Sequence, residues 1–130
     1  MDVLETWIAG ERVYDKEGVR FAYKPGAAVN NFNCSVVKGK EIEVAGCNRK
    51  VRVIEAFDGE LLTKEYLWSP GSSNVLEASP EKDILKIVVK DRYSDSPPAV
   101  GFIKGFGLKK GAFASSIAHD SHNIFICSNR

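Results

Sequence analysis

Histidine is almost absent from this sequence: two occur in 130 residues, His119 and His122, both inside one tetrapeptide. A self-contained catalytic metal centre draws on three or more protein ligands, histidine foremost, so these two neighbours supply too few on their own. Cysteine is scarce as well. Cys34, Cys47 and Cys127 are odd in number and widely spaced, with no C-x-x-C pair. That spacing fits neither a zinc ribbon nor a disulfide framework, and the expectation is reduced thiols in a cytoplasmic protein. No apolar stretch approaches the roughly 20 residues that cross a bilayer as a helix, and the start Met1-Asp2-Val3-Leu4-Glu5 lacks the basic and apolar regions of a secretory leader. No membrane partner is expected. An excess of charge is missing too: eighteen Lys and Arg face seventeen Asp and Glu, a formal net charge of +1. This balance argues against a whole-surface nucleic-acid footprint.

What is present is the material of a folded domain, 44% hydrophobic and 27% charged residues. Residues 6–23 read as short extended runs around a turn, and Val19, Phe21 and Tyr23 alternate with Arg20 and Ala22 as in a half-buried strand, closed by Pro25-Gly26. Residues 27–37 are Asn-rich and irregular. Glu41-Ile42-Glu43-Val44 alternates and predicts a strand; residues 50–57 alternate again, and Asp58-Gly59 predicts a hairpin whose return strand is residues 61–68. Ile84 to Val89 is β-branched and nearly continuous in hydrophobicity, as in a central strand covered on both faces. Val100 to Gly107 predicts a strand entering a glycine-rich turn, Ala112 to Ala118 a strand or a short helix, and Ile124 to Cys127 a last strand. The fold class is therefore α+β and strand-dominated: a mixed or antiparallel sheet with an N-terminal β-hairpin and few short helices.

His119-Asp120-Ser121-His122-Asn123 sets five polar side chains between two apolar runs and is the candidate site. An extended chain would put His119, Ser121 and Asn123 on one face; a helical one would join His119 to His122. Three readings stand. The segment is a polar turn whose side chains bond the local backbone, a set of ligand-contacting or supporting residues, or part of a metal site short of ligands. Ser115 and Ser116 lie nearby, but no G-x-S-x-G elbow presents either as a nucleophile. Gly101, Lys104, Gly105, Gly107, Lys109, Lys110 and Gly111 suggest a phosphate cradle yet match neither G-x-x-x-x-G-K-[ST] nor G-x-G-x-x-G, and tight-turn packing is the favoured reading.

The run from Gly101 to Ile124, with its G-F-G-L-K segment and A-S-S-I-A-H-D-S-H-N-I, resembles the signature stretch in the C-terminal region of adenine deaminases. Lys50 to Thr63 resembles that family's K-V-R-V-I-E segment ending in L-T, and Pro80 to Val89 its P-x-x-D-I-L-K-I-x-V run. The resemblance implies two parts: residues 1–26, a strand pair leaving an amidohydrolase barrel, and residues 27–130, a C-terminal domain expected to be incomplete at its end, since residues 125–130 depart from the family's continuation. It also implies a parent enzyme that deaminates adenine to hypoxanthine and ammonia with water activated by a divalent metal, manganese or iron. Histidines of the barrel hold that metal and are absent from this chain. No catalytic residue, metal ligand or cofactor is therefore expected within it, and the chain alone is expected to be inactive. His119, Asp120, Ser121, His122 and Asn123 remain candidates for contacting substrate or supporting a site built elsewhere. The implied partners are the barrel, in the same or another chain, and adenine as the parent's substrate; a homo-oligomer is compatible. The alternative is a non-catalytic structural or interaction domain packing on a partner subunit.

Overall fold

Most of the alternating runs become strands here, each paired with a neighbouring backbone. The structure, a computed structural model, describes residues 2–46 and 48–130. Met1 and Cys47, part of the readings of the N-terminus and the thiols, lie outside the described residues. The chain divides into two units, Met1–Asn30 and Asn31–Arg130.

The first unit is an antiparallel sheet of β1 (Thr6–Ile8), β2 (Glu11–Asp15) and β3 (Gly18–Val19) in that order. Ala9 and Gly10 both take left-handed φ, 51° and 83°, the pair of signs that a two-residue hairpin turn needs to match strand twist. Asp15 is buried, and its carboxylate accepts from the Arg20 guanidinium and from the Glu17 N–H. The Arg20 bond is the main reason its pKa lies below the ordinary value. The strand expected through Tyr23 stops at Val19: Phe21 and Tyr23 are 54% and 74% exposed. Pro25 explains part of this, because it has no N–H to donate and restricts Lys24 before it.

The second unit holds β4 (Val44–Ala45), β5 (Val51–Glu55), β6 (Lys64–Trp68), β7 (Val75–Leu76), β8 (Ile84–Lys90), β9 (Ala99–Lys104), β10 (Ala112–Ser115) and β11 (Ile124–Ser128). Six of them form one sheet in the order β10-β11-β8-β9-β5-β6. All its neighbours are antiparallel except β5 and β9, which run parallel through Ile54↔Ile103 and Glu55↔Lys104. β4 and β7 make a separate antiparallel ribbon. Helical structure among the described residues is limited to the 3-10 turns Gly39–Ile42 and Pro80–Lys82. The expected strand-dominated class, with mixed and antiparallel sheets and an N-terminal hairpin, is what the chain adopts.

Strand periodicity sorts the core onto the two faces of the large sheet. One face buries Val53, Trp68, Ile84 and Phe102 against Leu76 of the ribbon, with the Trp68 and Phe102 rings edge to face at 5.3 Å. The opposite face buries Leu85, Ile103 and Cys127, supported by Ile87, Leu108, Phe113 and Phe125. Cys34 and Cys127 are free thiols; burial pushes the Cys127 thiol up and leaves it a packing residue.

Two sequence expectations change. Glu41 to Val44 is not a strand: the Glu41 carboxylate takes the Lys38 N–H at 2.7 Å and winds Gly39–Ile42 into a 3-10 turn, so β4 begins only at Val44. The predicted hairpin exists as β5 and β6, with Val51↔Trp68 and Glu55↔Lys64 in register. Its return strand starts at Lys64 rather than Leu61. The Glu60 N–H reaches the Phe57 carbonyl at 3.2 Å around Asp58-Gly59, with Gly59 at φ 74°, and Leu61 and Leu62 then project into solvent.

Candidate functional site: the turn between β10 and β11

Residues 112–118 resolve into β10 followed by an irregular exit. The Ser115 hydroxyl donates to the Ile117 carbonyl at 3.0 Å and accepts the Ile117 N–H at 3.2 Å, a local turn that ends the strand. Arg92, just beyond β8, donates to the Ser116 carbonyl at 2.8 Å while its guanidinium lies over the Phe32 ring at 4.6 Å. That anchor ties the exit of β10 to a distant loop. Sequence reasoning missed Arg92, which stands in a polar stretch with no periodicity to mark it.

The next six residues close on themselves. The Ala118 N–H donates to the Asn123 carbonyl at 2.8 Å, and the His122 N–H donates to the Ala118 carbonyl at 2.8 Å. The Ser121 N–H donates to the His119 carbonyl at 2.9 Å, and the Ser121 hydroxyl accepts the Asn123 N–H at 3.4 Å. Neither the extended nor the helical arrangement applies, because Asp120 and His122 both adopt left-handed φ, 66° and 55°. Two such residues in three, neither a glycine, hold the backbone in a costly conformation. The outcome is presentation: the His119 and Asp120 side chains are 98% and 89% exposed, with His119 Nδ1 3.1 Å from Asp120 Oδ1. Ser121 and His122 are exposed beside them, and Asn123 is half-buried where β11 begins.

The structure thus brings all five candidate residues into one outward-facing turn. An imidazole paired with a carboxylate through one nitrogen has the other free to donate or accept. Among the described residues no three His, Cys, Asp or Glu side chains converge as a metal site requires. Ser115 spends its hydroxyl on Ile117 rather than on a histidine. The glycine-rich segment is also engaged: Gly105, Gly107 and Gly111 take positive φ, and the N–H groups of Gly105 and Gly107 donate to the Asp83 carboxylate at 2.8 and 2.6 Å. A side-chain anion already sits where a phosphate would be cradled.

Comparison with known proteins adds the following. The family model described as the adenine deaminase C-terminal domain matches residues 60–130. A protein named adenine deaminase from Methanosarcina barkeri is 47% identical over 95% of this chain, which spans 24% of that relative. Proteins of the same name from Parabacteroides distasonis and Borreliella afzelii are 41% and 34% identical over 95% and 94% of the chain, which spans 23% of each. The chain therefore covers about a quarter of the length of the curated relatives it matches.

Proposed function

The chain belongs to the adenine deaminase C-terminal domain family, and from that premise we propose that it is the C-terminal part of a cytoplasmic enzyme that converts adenine and water to hypoxanthine and ammonia. The relatives, named adenine deaminase, and the quarter of their length that the chain spans support this reading. The residues described here do not fit a resident divalent metal, since His119 and Asp120 offer a pair and no third ligand joins them. Manganese or iron and the chemical step are accordingly assigned to a barrel outside this chain.

Within the proposal, the 119–123 turn serves the mouth of that active site. The observation that carries this is the two left-handed, non-glycine residues Asp120 and His122, whose conformation holds His119, Ser121 and His122 outward. Imidazole and hydroxyl groups both donate and accept, matching the alternating donors and acceptors of a purine edge. Replacing His119 and His122 by Ala in the full-length enzyme is expected to raise KM for adenine about tenfold, the loss of one or two hydrogen bonds to substrate. Unchanged turnover and adenine affinity would reduce the segment to a structural turn. The 130-residue chain alone, supplied with manganese or iron, is expected to release no ammonia from adenine; release would overturn the assignment of the chemistry elsewhere.

A second reading, a non-catalytic module packing on a partner subunit, draws on Leu61 and Leu62, which are 101% and 81% exposed on the β5–β6 loop. Leu61→Ser with Leu62→Ser separates the two: dissociation of subunits with turnover kept favours the module, and lost turnover with the assembly intact favours the enzyme part.

A further inference from the structure

The face of β8 that carries Ile84 also carries Lys86, Val88 and Lys90, and residues 34–42 pass over it to leave a cleft of about 650 Å³. Its walls are mainly apolar, with Val36, Ile42, Val88, Ile124 and Ile126 among the lining residues, and the cations Lys86, Lys90 and Arg130 also line it. The covering segment is strapped down at one end. The Asn33 N–H donates to the Arg92 carbonyl at 3.0 Å, and the Ser35 N–H donates to Asp95 Oδ1 at 2.9 Å. Lys90, 6% exposed, is engaged by two acceptors: its Nζ lies 3.2 Å from Asp95 Oδ1 and 2.6 Å from the Ser96 carbonyl.

Lys86 differs. It is 7% exposed, lines the same cleft, and has no hydrogen-bond or ion-pair partner among the described residues. Its stem is buried while its ammonium keeps contact with solvent, so an anion entering the cleft would meet an unpaired charge beside apolar walls. We propose that the cleft is a binding site for a small monocarboxylate with an apolar body, the carboxylate received by Lys86 and the body lying against Val88, Ile124 and Ile126. Charge complementarity and size select this occupant. The volume falls in the roughly 300–1,000 Å³ range of small-molecule sites, the apolar walls disfavour inorganic phosphate, and Lys86 disfavours a neutral hydrocarbon.

Decanoate and its neutral counterpart decanol are the probes, titrated calorimetrically into the 130-residue chain. One decanoate is expected to bind per chain at least tenfold more tightly than decanol. Lys86→Met keeps the length of the side chain and removes its charge, so the preference is expected to vanish. Lys104→Met, on a lysine paired with Glu55 outside the cleft, is expected to leave it intact. Val88→Phe fills the cleft and is expected to abolish binding of both probes, with a retained cooperative melt reporting a folded chain. Equal affinity for the two probes, a preference that survives Lys86→Met, or no saturable binding would each overturn the proposal. So would decanoate binding to this chain but not to the full-length enzyme, since a protein segment would then be the occupant. None of these readouts depends on deaminase activity.

Discussion

Asp83 shows how one residue can decide what a glycine-rich segment does. It ends the Pro80–Lys82 turn in left-handed backbone, φ 57°, and from there its carboxylate receives the N–H groups of Gly105 and Gly107. Asp83→Ala is expected to cost about 1–2 kcal/mol in urea denaturation, and to speed amide exchange at both glycines. Asp83→Asn, which keeps an acceptor, is expected to lose less. The two glycines themselves are unequal. A Cβ on Gly105 would lie 2.0 Å from the Ala56 carbonyl oxygen with φ at 106°, whereas Gly107, at φ 63°, has open space around it. Gly105→Ala is expected to destabilise by more than about 3 kcal/mol, a backbone clash added to strain, and Gly107→Ala by about 1 kcal/mol, strain alone. Equal midpoints for the two variants in thermal melts would contradict that separation.

Elements were legible where hydrophobic alternation and partnering agree. β5, β6, β8, β9 and β11 fall on the runs that the pattern marks, because each has a neighbour on at least one side and a face to bury. The pattern fails where a side chain competes for the backbone, as Glu41 does at Lys38, or where the chain turns away from an available neighbour, as after Arg20, whose N–H is still bonded to the Val13 carbonyl of β2. Leucine content misleads in the same way at Leu61 and Leu62, apolar residues on a solvent-facing loop. Leu85→Ala in β8, fully buried, is expected to cost about 2–5 kcal/mol, while Leu61→Ala is expected to stay within about 0.5 kcal/mol in this chain. The 119–123 segment was legible as a polar cluster because its residue types are conspicuous. Its left-handed backbone was not, since Asp and His are only enriched at positive φ and adopt it in a small minority of their occurrences. The cleft over Lys86 was also invisible. A lysine inside a β-branched run reads as an interruption, and only the register with Phe102 and Ser128 shows that it shares a buried face.

At the scale of the molecule, acid is the condition that most directly tests the strapping of the chain. Asp95 is held down to about 2 from an ordinary 3.8 by the Ser35 hydroxyl, the Ser35 N–H and Lys90. Hydrogen bonds to Ser79 and Ser94 hydroxyls likewise lower Glu81 and Asp91. A carboxylate with a depressed folded pKa contributes stability that is fully present above its unfolded pKa and is lost as pH falls through the folded value. The stability gap between the chain and its Asp95→Asn variant is therefore expected to be constant at neutral pH. It should shrink between about pH 4 and about pH 2, as measured by urea midpoints across that range; a gap that does not change would remove Asp95 from the account. Sheet order lies beyond any local pattern, and the parallel pairing of β5 with β9 is its least local part. That pairing also has a consequence in time. The hairpins β5–β6, β8–β9 and β10–β11 join near neighbours in sequence and can close within microseconds. The β5–β9 seam must instead wait for a long loop to close, and it gains only two register pairs when it does. The β5–β9 seam is accordingly expected to close late, and pulsed hydrogen exchange at the Ala56 amide, bonded to the Lys104 carbonyl at 3.0 Å, would time it; protection there as early as in the hairpins would contradict this.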